Sequence, residues 1–230
     1  FLRRHHLLIK RFHFLFQRRN RVLLGIQRRF KLTKAIIEIF AIHDQIFIIR
    51  FDIVDHLWAM PVLVDYVRQR IDLEKVAVVS PDAGRIRVAE KWAAKLGNCP
   101  LAFIHKTRDT SRPNVAVANR VVGDVRGRQC VIVDDLIDTA GTITEAVRVL
   151  FQEGADEVIV AATHGVLSAP ASQRLASCGA SEVIITDTLP VSPEQQFDQL
   201  TILSVAPLLA RGIHEVFEDG SVTSMFDGEA

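Results

Sequence analysis

The run from Cys130 to Thr142, C-V-I-V-D-D-L-I-D-T-A-G-T, constrains the fold more than any other part of this chain. Its apolar start, Cys130 to Val133, is bounded by a polar turn and predicts a buried parallel strand. Asp134 and Asp135 follow at the strand's carboxyl end, where open α/β sheets place their ligands. Asp138-Thr139-Ala140-Gly141-Thr142 then predicts a tight turn into a helix over Ile143 to Glu153. The first N–H groups of a helix lack intrahelical partners and sit at the positive end of its dipole, which suits a phosphate. Ala140 and Gly141 let the backbone approach such a group, and Thr139 and Thr142 add hydroxyl donors. Asp134 and Asp135 are placed to accept hydrogen bonds from sugar hydroxyls, directly or through a hydrated Mg2+. A strand, an Asp N-cap and a helix would explain part of the pattern. A cap, however, has no need of two further acids and a second threonine.

With 230 residues, 49% of them hydrophobic, the chain can hold one large domain or a domain and part of another. The net charge of +1 hides an asymmetry. Residues 1–50 carry 12 Lys/Arg against 2 Asp/Glu, leaving 16 basic and 25 acidic groups for the remainder. Basic residues interleaved with Phe, Leu and Ile suit a nucleic-acid or membrane-binding arm, or an Arg-rich transit peptide, although serine is absent. Without a recognisable binding motif, the favoured expectation is a non-native or degenerate segment attached to an intact domain. The opening residue, Phe1 rather than Met, fits a fragment or an altered gene product. Cys99, Cys130 and Cys178 are odd in number and far apart, which suggests reduced thiols rather than a disulfide framework or zinc site. No apolar run reaches the length of a membrane span and no signal-peptide pattern is present, so the cytoplasm is the expected location.

From about Phe51 the texture becomes α/β. A helix over Pro61 to Arg70 has proline at its first position and a Val-Leu-Val-x-x-Val face. Strands are predicted at Val76 to Ser80, Leu101 to His105, Val131 to Asp134, Val158 to Ala161 and Val183 to Thr186. Helices are predicted at Arg85 to Leu96, Ile143 to Glu153 and about Ala169 to Ser177, with a last short strand and helix over Thr201 to Arg211. Strands separated by helices and short loops imply an α/β fold with a mostly parallel sheet covered on both faces. The organisation expected is a basic segment 1–50, a connecting segment and helix 51–72, and a main domain 73–230.

Three further motifs accompany the central one. Ser80-Pro81-Asp82-Ala83-Gly84-Arg85 places an acid and a flexible turn at another strand's carboxyl end, although a structural turn would look the same locally. Ile104-His105-Lys106-Thr107-Arg108-Asp109 opens a charged loop with Pro113 near its end. Lys106 and Arg108 on such a loop are suited to close over a triphosphate and neutralise its charge, against the plain alternative of a solvated surface loop. Ala162-Thr163-His164-Gly165 follows a strand, and His164 there is as readily structural as phosphate-binding.

The central segment matches the phosphoribosyl-diphosphate (PRPP) binding pattern of apolar residues, two acids and D-T-x-G-T. Residues from about Asp52 to Met225 closely resemble the C-terminal part of the ribose-phosphate pyrophosphokinase, or PRPP synthetase, family. The resemblance rests on V-V-S-P-D-A-G at 78–84, H-K-T-R at 105–108, V-D-D-L-I-D-T-A-G-T at 133–142, A-T-H-G at 162–165 and T-D-T-L-P at 186–190, with S-M-F near the end. It implies a type I phosphoribosyltransferase-like fold. It also implies transfer of the pyrophosphoryl group of Mg-ATP to the 1-hydroxyl of ribose 5-phosphate, giving PRPP and AMP for nucleotide biosynthesis. On this resemblance Asp138, Thr139, Ala140, Gly141 and Thr142 would hold the 5-phosphate, and Asp134 with Asp135 the ribose. Lys106 would be the catalytic lysine, with Arg108 its partner on the loop and a ribose 5-phosphate contact. Asp82 would hold Mg2+ through water, and His43 falls at the position of the family's other metal ligand, although its neighbours match poorly.

The resemblance is incomplete at the other end. The family's ATP-binding F-x-x-G/D-E loop and R-Q-D motif do not occur in Phe1 to Arg50, and the family builds its sites across subunits of a hexamer. Besides active synthesis, the sequence therefore admits a truncated or inactive homologue that binds sugar phosphate or regulates a complete enzyme. A phosphoribosyltransferase is a third reading, opposed by the S-P-D-A-G turn and the lack of a base-binding hood. The partners implied are ATP, ribose 5-phosphate and further copies of the chain, with neither nucleic acid nor membrane.

Overall fold

The computed structural model describes residues 56–107 and 118–226; for Lys106, Thr107, Ala118 and Asn119 it describes the backbone alone. These residues form a sheet of seven strands: β1 (Val76–Ser80), β2 (Leu101–Thr107), β3 (Ala118–Val122), β4 (Gln129–Ile137), β5 (Glu157–Gly165), β6 (Glu182–Thr186) and β7 (Leu200–Leu203). The order across the sheet is β3-β2-β1-β4-β5-β6-β7. Only the edge pair β2–β3 is antiparallel; every other neighbour pair is parallel. Five helices accompany it: α1 (Met60–Arg68), α2 (Ile86–Lys95), α3 (Gly141–Gln152), α4 (Ala171–Ser177) and α5 (Ala206–Phe217).

The central strands read as unbroken apolar runs because both faces of the sheet are covered. Alternate residues divide between two cores. Leu63, Val64 and Val67 of α1 and Ala89, Trp92 and Ala93 of α2 pack on Val76, Val78, Val131, Val133 and Ile159. Ile143, Ala146, Val147 and Leu150 of α3 and Leu175 of α4 pack on Ala77, Val79, Cys130, Ile132, Val158 and Val160 from the other side. The helix α1 keeps proline in its first turn and buries Leu63, Val64 and Val67 of its predicted face, while Val62 is only partly buried and Met60 joins at the start.

Most elements lie close to their predicted bounds, but α5 runs to Phe217, six residues past the predicted end at Arg211, and three further differences stand out. Over Ala118–Val122 the sequence reading places no element, yet this segment pairs along β2 from Phe103↔Val122 to Thr107↔Ala118. Both β4 and β5 run beyond their apolar stretches, so Asp134 and Asp135 lie within β4, and Ala162 to Gly165 lie within β5 rather than after it. Helix α3 begins at Gly141, two residues before the predicted start, because Ala140 completes the turn in a left-handed conformation (φ 59°, ψ 7°).

The strand order creates the crevice. The chain leaves β1 through α2 toward β2 on one side, and leaves β4 through α3 toward β5 on the other. Between β1 and β4 the connections diverge, which in open α/β sheets opens a ligand-binding gap at the carboxyl ends. Pairing of β4 with β1 stops at Val79↔Ile132, while its pairing with β5 continues to Ile137↔Gly165. The last residues of β4 therefore have an open side where β1 has turned away. That open side carries Asp134 and Asp135.

Candidate active site at the β1 and β4 carboxyl ends

The turn from β4 into α3 brings a helix N-terminus to the carboxyl end of β4. Ala140 is 5% exposed and occupies the N-cap position, where its own side chain supplies no cap, and no acid stands in the helix's first turn. The simpler reading of Asp138 as an ordinary N-cap is thereby overturned: Asp138 and Thr139 are exposed and the capping position belongs to Ala140. A helix of 12 residues thus presents its positive end with no carboxylate of its own to neutralise it. The amide of Thr144 donates to the Ala140 carbonyl at 2.9 Å, closing the first helical turn. Behind it, Arg174 of α4 donates through Nη1 to the Thr139 carbonyl at 2.9 Å and holds the turn in place. A Cβ on Gly141 would meet the Arg174 Nη1 at an ordinary contact distance of 3.6 Å.

The two acids of β4 differ in surroundings. Asp134 is nearly enclosed, with its side chain 14% exposed, and its Oδ1 accepts the Asp135 N–H at 2.8 Å. Burial, reinforced by the Asp135 carboxyl beside it, raises its pKa from 3.8 to about 6, and Arg85 pulls it back only in part. Asp135 is half exposed and pairs with Arg85, Nη2 to Oδ2 at 2.6 Å. The same guanidinium lies 3.8 Å from Asp134 Oδ1 through Nε. Sequence reading named both acids and missed Arg85, whose position in the S-P-D-A-G-R turn was the available signal.

That turn is rigid. Asp82 accepts the Gly84 N–H on Oδ1 at 2.8 Å, initiating the short 3-10 turn Ala83–Arg85 that leads into α2. The buried Ser80 hydroxyl donates to the Asp82 carbonyl at 2.6 Å. Asp82 therefore has a structural part in the turn, and it also stands at the carboxyl end of β1, beside the crevice. Among the described residues no group of three or more His, Cys, Asp and Glu is arranged to hold a metal ion. Asp82, Asp134 and Asp135 are oxygen donors at the carboxyl ends of β1 and β4, and they form no all-protein metal cage.

Lys106 lies near the end of β2, beyond the level at which β1 stops, since Ser80 pairs with Phe103. At about 3.3 Å per residue its backbone is roughly 10 Å further along the same edge of the sheet. Arg108 and His43 lie outside the described residues. His164 is bound through Nδ1 to the Thr188 hydroxyl at 2.8 Å, and Thr188 and Thr186 both donate to the Thr163 carbonyl. These contacts give His164 a structural role tying β5 to the loop after β6. The free thiols are Cys99, Cys130 and Cys178; burial pushes the Cys130 thiol up to about 12, which makes it an inert core residue. Among the described residues no helix is long and apolar enough to cross a membrane.

An open, mostly parallel sheet with a D-T-x-G-T turn at its topological switch defines the class, the type I phosphoribosyltransferase-like fold. Residues 107–227 match the phosphoribosyl synthetase-associated domain. A ribose-phosphate pyrophosphokinase of Bifidobacterium longum is 67% identical over 176 residues, covering 76% of this chain and 52% of that protein. The Mycobacterium tuberculosis protein of the same name is 61% identical over 177 residues, covering 77% of this chain and 54% of its own length. The crystal structure of phosphoribosylpyrophosphate synthetase from Mycobacterium smegmatis superposes with a TM-score of 0.66 at 56% identity, covering 73% of this chain and 53% of that one. The chain belongs to the phosphoribosyl synthetase family. It spans about half the length of the curated relatives it matches.

Proposed function

We propose that this chain carries the ribose 5-phosphate half of a ribose-phosphate diphosphokinase, the enzyme that makes PRPP and AMP from Mg-ATP and ribose 5-phosphate. The observation that carries this reading is the N-terminus of α3, with Ala140 as its N-cap and no acid in its first turn, set beside the nearly enclosed Asp134 at the switch point of the sheet. A phosphate at the first turn of α3 would accept from the helix-start N–H groups, which Ala140 at the N-cap has no side-chain acceptor to meet. Thr139 and Thr142 add hydroxyls to that contact, and Asp138 flanks it. Asp134 accepts from the ribose hydroxyls, with Asp135 beside it in β4, so that the anomeric oxygen faces the β2 side of the crevice.

Lys106 and Arg108 supply positive charge to the transferring pyrophosphoryl group. Such a reaction depends on positioning and charge neutralisation more than on a covalent enzyme intermediate. Asp82 would hold Mg2+ through water, with His43 as its proposed second ligand; when bound, the ion neutralises part of the triphosphate. Assembly into the family's oligomer supplies the rest of the nucleotide site, and the cytoplasm supplies both substrates.

The test is AMP formation from ATP and ribose 5-phosphate in the presence of Mg2+, with calorimetric titration of ribose 5-phosphate alongside. Synthesis predicts AMP that disappears in Lys106→Ala while sugar-phosphate binding persists. Binding without AMP would assign this chain a sugar-phosphate-binding role, and the absence of both binding and AMP would overturn the reading.

A further inference from the structure

Arg85 occupies a place that the D-T-x-G-T logic leaves unexplained. It ends the 3-10 turn that begins at Asp82, and its guanidinium crosses the crevice from β1 to β4. Along β4, alternate side chains face opposite sides of the sheet. Asp135 shares a face with Val131 and Val133, which pack under α1 and α2, while Asp134 shares the face of Cys130 and Ile132 under α3. Asp135 is therefore the acid that looks toward the start of α2, and it meets Arg85 there at 2.6 Å. The 3.8 Å approach of Nε to Asp134 leaves that acid outside the tight pair.

We propose, building on the acceptor-site reading above, that Arg85 is a positioning residue. By clamping Asp135 it fixes the Asp82 turn against β4 and leaves Asp134 as the acid that receives the sugar. The two acids then have separate duties. One braces the two walls of the crevice through Arg85, and the other contacts the ligand. A planar guanidinium suits this brace because it offers several donors in a fixed geometry, whereas an ammonium is a single flexible point charge.

A double-mutant cycle of Arg85→Gln and Asp135→Asn, read as ribose 5-phosphate affinity by calorimetry on the full chain, tests the assignment. Each single change should weaken binding about three- to fivefold, the range of a partly exposed ion pair. The double variant should be no weaker than either single one, and Arg85→Lys should recover part of the loss. Additive losses, or unchanged affinity in Arg85→Gln, would overturn the proposal. A ligand-free reading keeps the brace separable from the acceptor-site assignment. Amide exchange across residues 82–86 should quicken in Arg85→Gln whether or not ribose 5-phosphate binds. Wild-type protein that ignores ribose 5-phosphate defeats the acceptor-site reading, and with it Asp134's duty, whereas unchanged exchange in Arg85→Gln defeats the brace.

Discussion

Replacing Asp134 by asparagine should stabilise the folded chain at neutral pH while removing its ligand. The carboxyl is 14% exposed and its pKa is raised from 3.8 to about 6, mainly because burial disfavours the charge. An acid whose native pKa lies above its unfolded one binds more protons when folded. Stability is then greatest below the unfolded value and falls as pH rises through the native one. At roughly 1.4 kcal/mol per pH unit the gap sets a ceiling of about 3 kcal/mol, fully felt above about pH 6. Asparagine keeps an oxygen for the Asp135 N–H, which Asp134 accepts at 2.8 Å, and it brings no charge. Urea unfolding of both chains should give equal stabilities near about pH 4 and an advantage of about 2–3 kcal/mol for the variant near about pH 8. Calorimetry on the same samples should show ribose 5-phosphate binding lost. A stability difference that does not change with pH, or a variant less stable near about pH 8, would refute burial as the origin of the strained acid.

Other expectations follow from the same geometry. Arg174→Ala removes the donor that holds the Thr139 carbonyl and should weaken ribose 5-phosphate binding several-fold by calorimetry, with little change in unfolding midpoint. A Cβ on Gly165 would lie 2.5 Å from Ile185 Cδ1, so Gly165→Ala should cost about 1–3 kcal/mol in urea unfolding, partly restored by Ile185→Val. Gly123 combines φ +121° with backbone atoms of Leu101 and Ala102 within 2.8 Å of any Cβ. Gly123→Ala should therefore disturb the β2–β3 pairing, seen as faster amide exchange in both strands, and a silent substitution would contradict it.

Much of the fold was legible because the buried strands carry unbroken runs such as Val76 to Val79 and Val131 to Val133, which only a sheet covered on both faces requires. The D-T-x-G-T turn was legible because each residue type there has a physical task at a helix start. The strand Ala118–Val122 was not, since a short edge strand after a charged loop has no periodic signature and owes its existence to β2 alongside it. The extensions of β4 and β5 through polar residues escaped for a related reason: hydropathy marks where a strand is buried, not where its hydrogen bonding ends. Arg85 was missed as a site residue because its significance depends on Asp135, which is distant in sequence and adjacent only through the parallel pairing of β1 and β4.

The central claim is that the start of α3 is a phosphate cradle serving a sugar held by Asp134. Its most direct test is calorimetric titration of the chain with ribose 5-phosphate, with unphosphorylated ribose and with inorganic phosphate. The account predicts saturable binding of ribose 5-phosphate, much weaker binding of phosphate alone and none measurable for ribose. Equal affinity for ribose and ribose 5-phosphate, or no binding of ribose 5-phosphate at all, would contradict it.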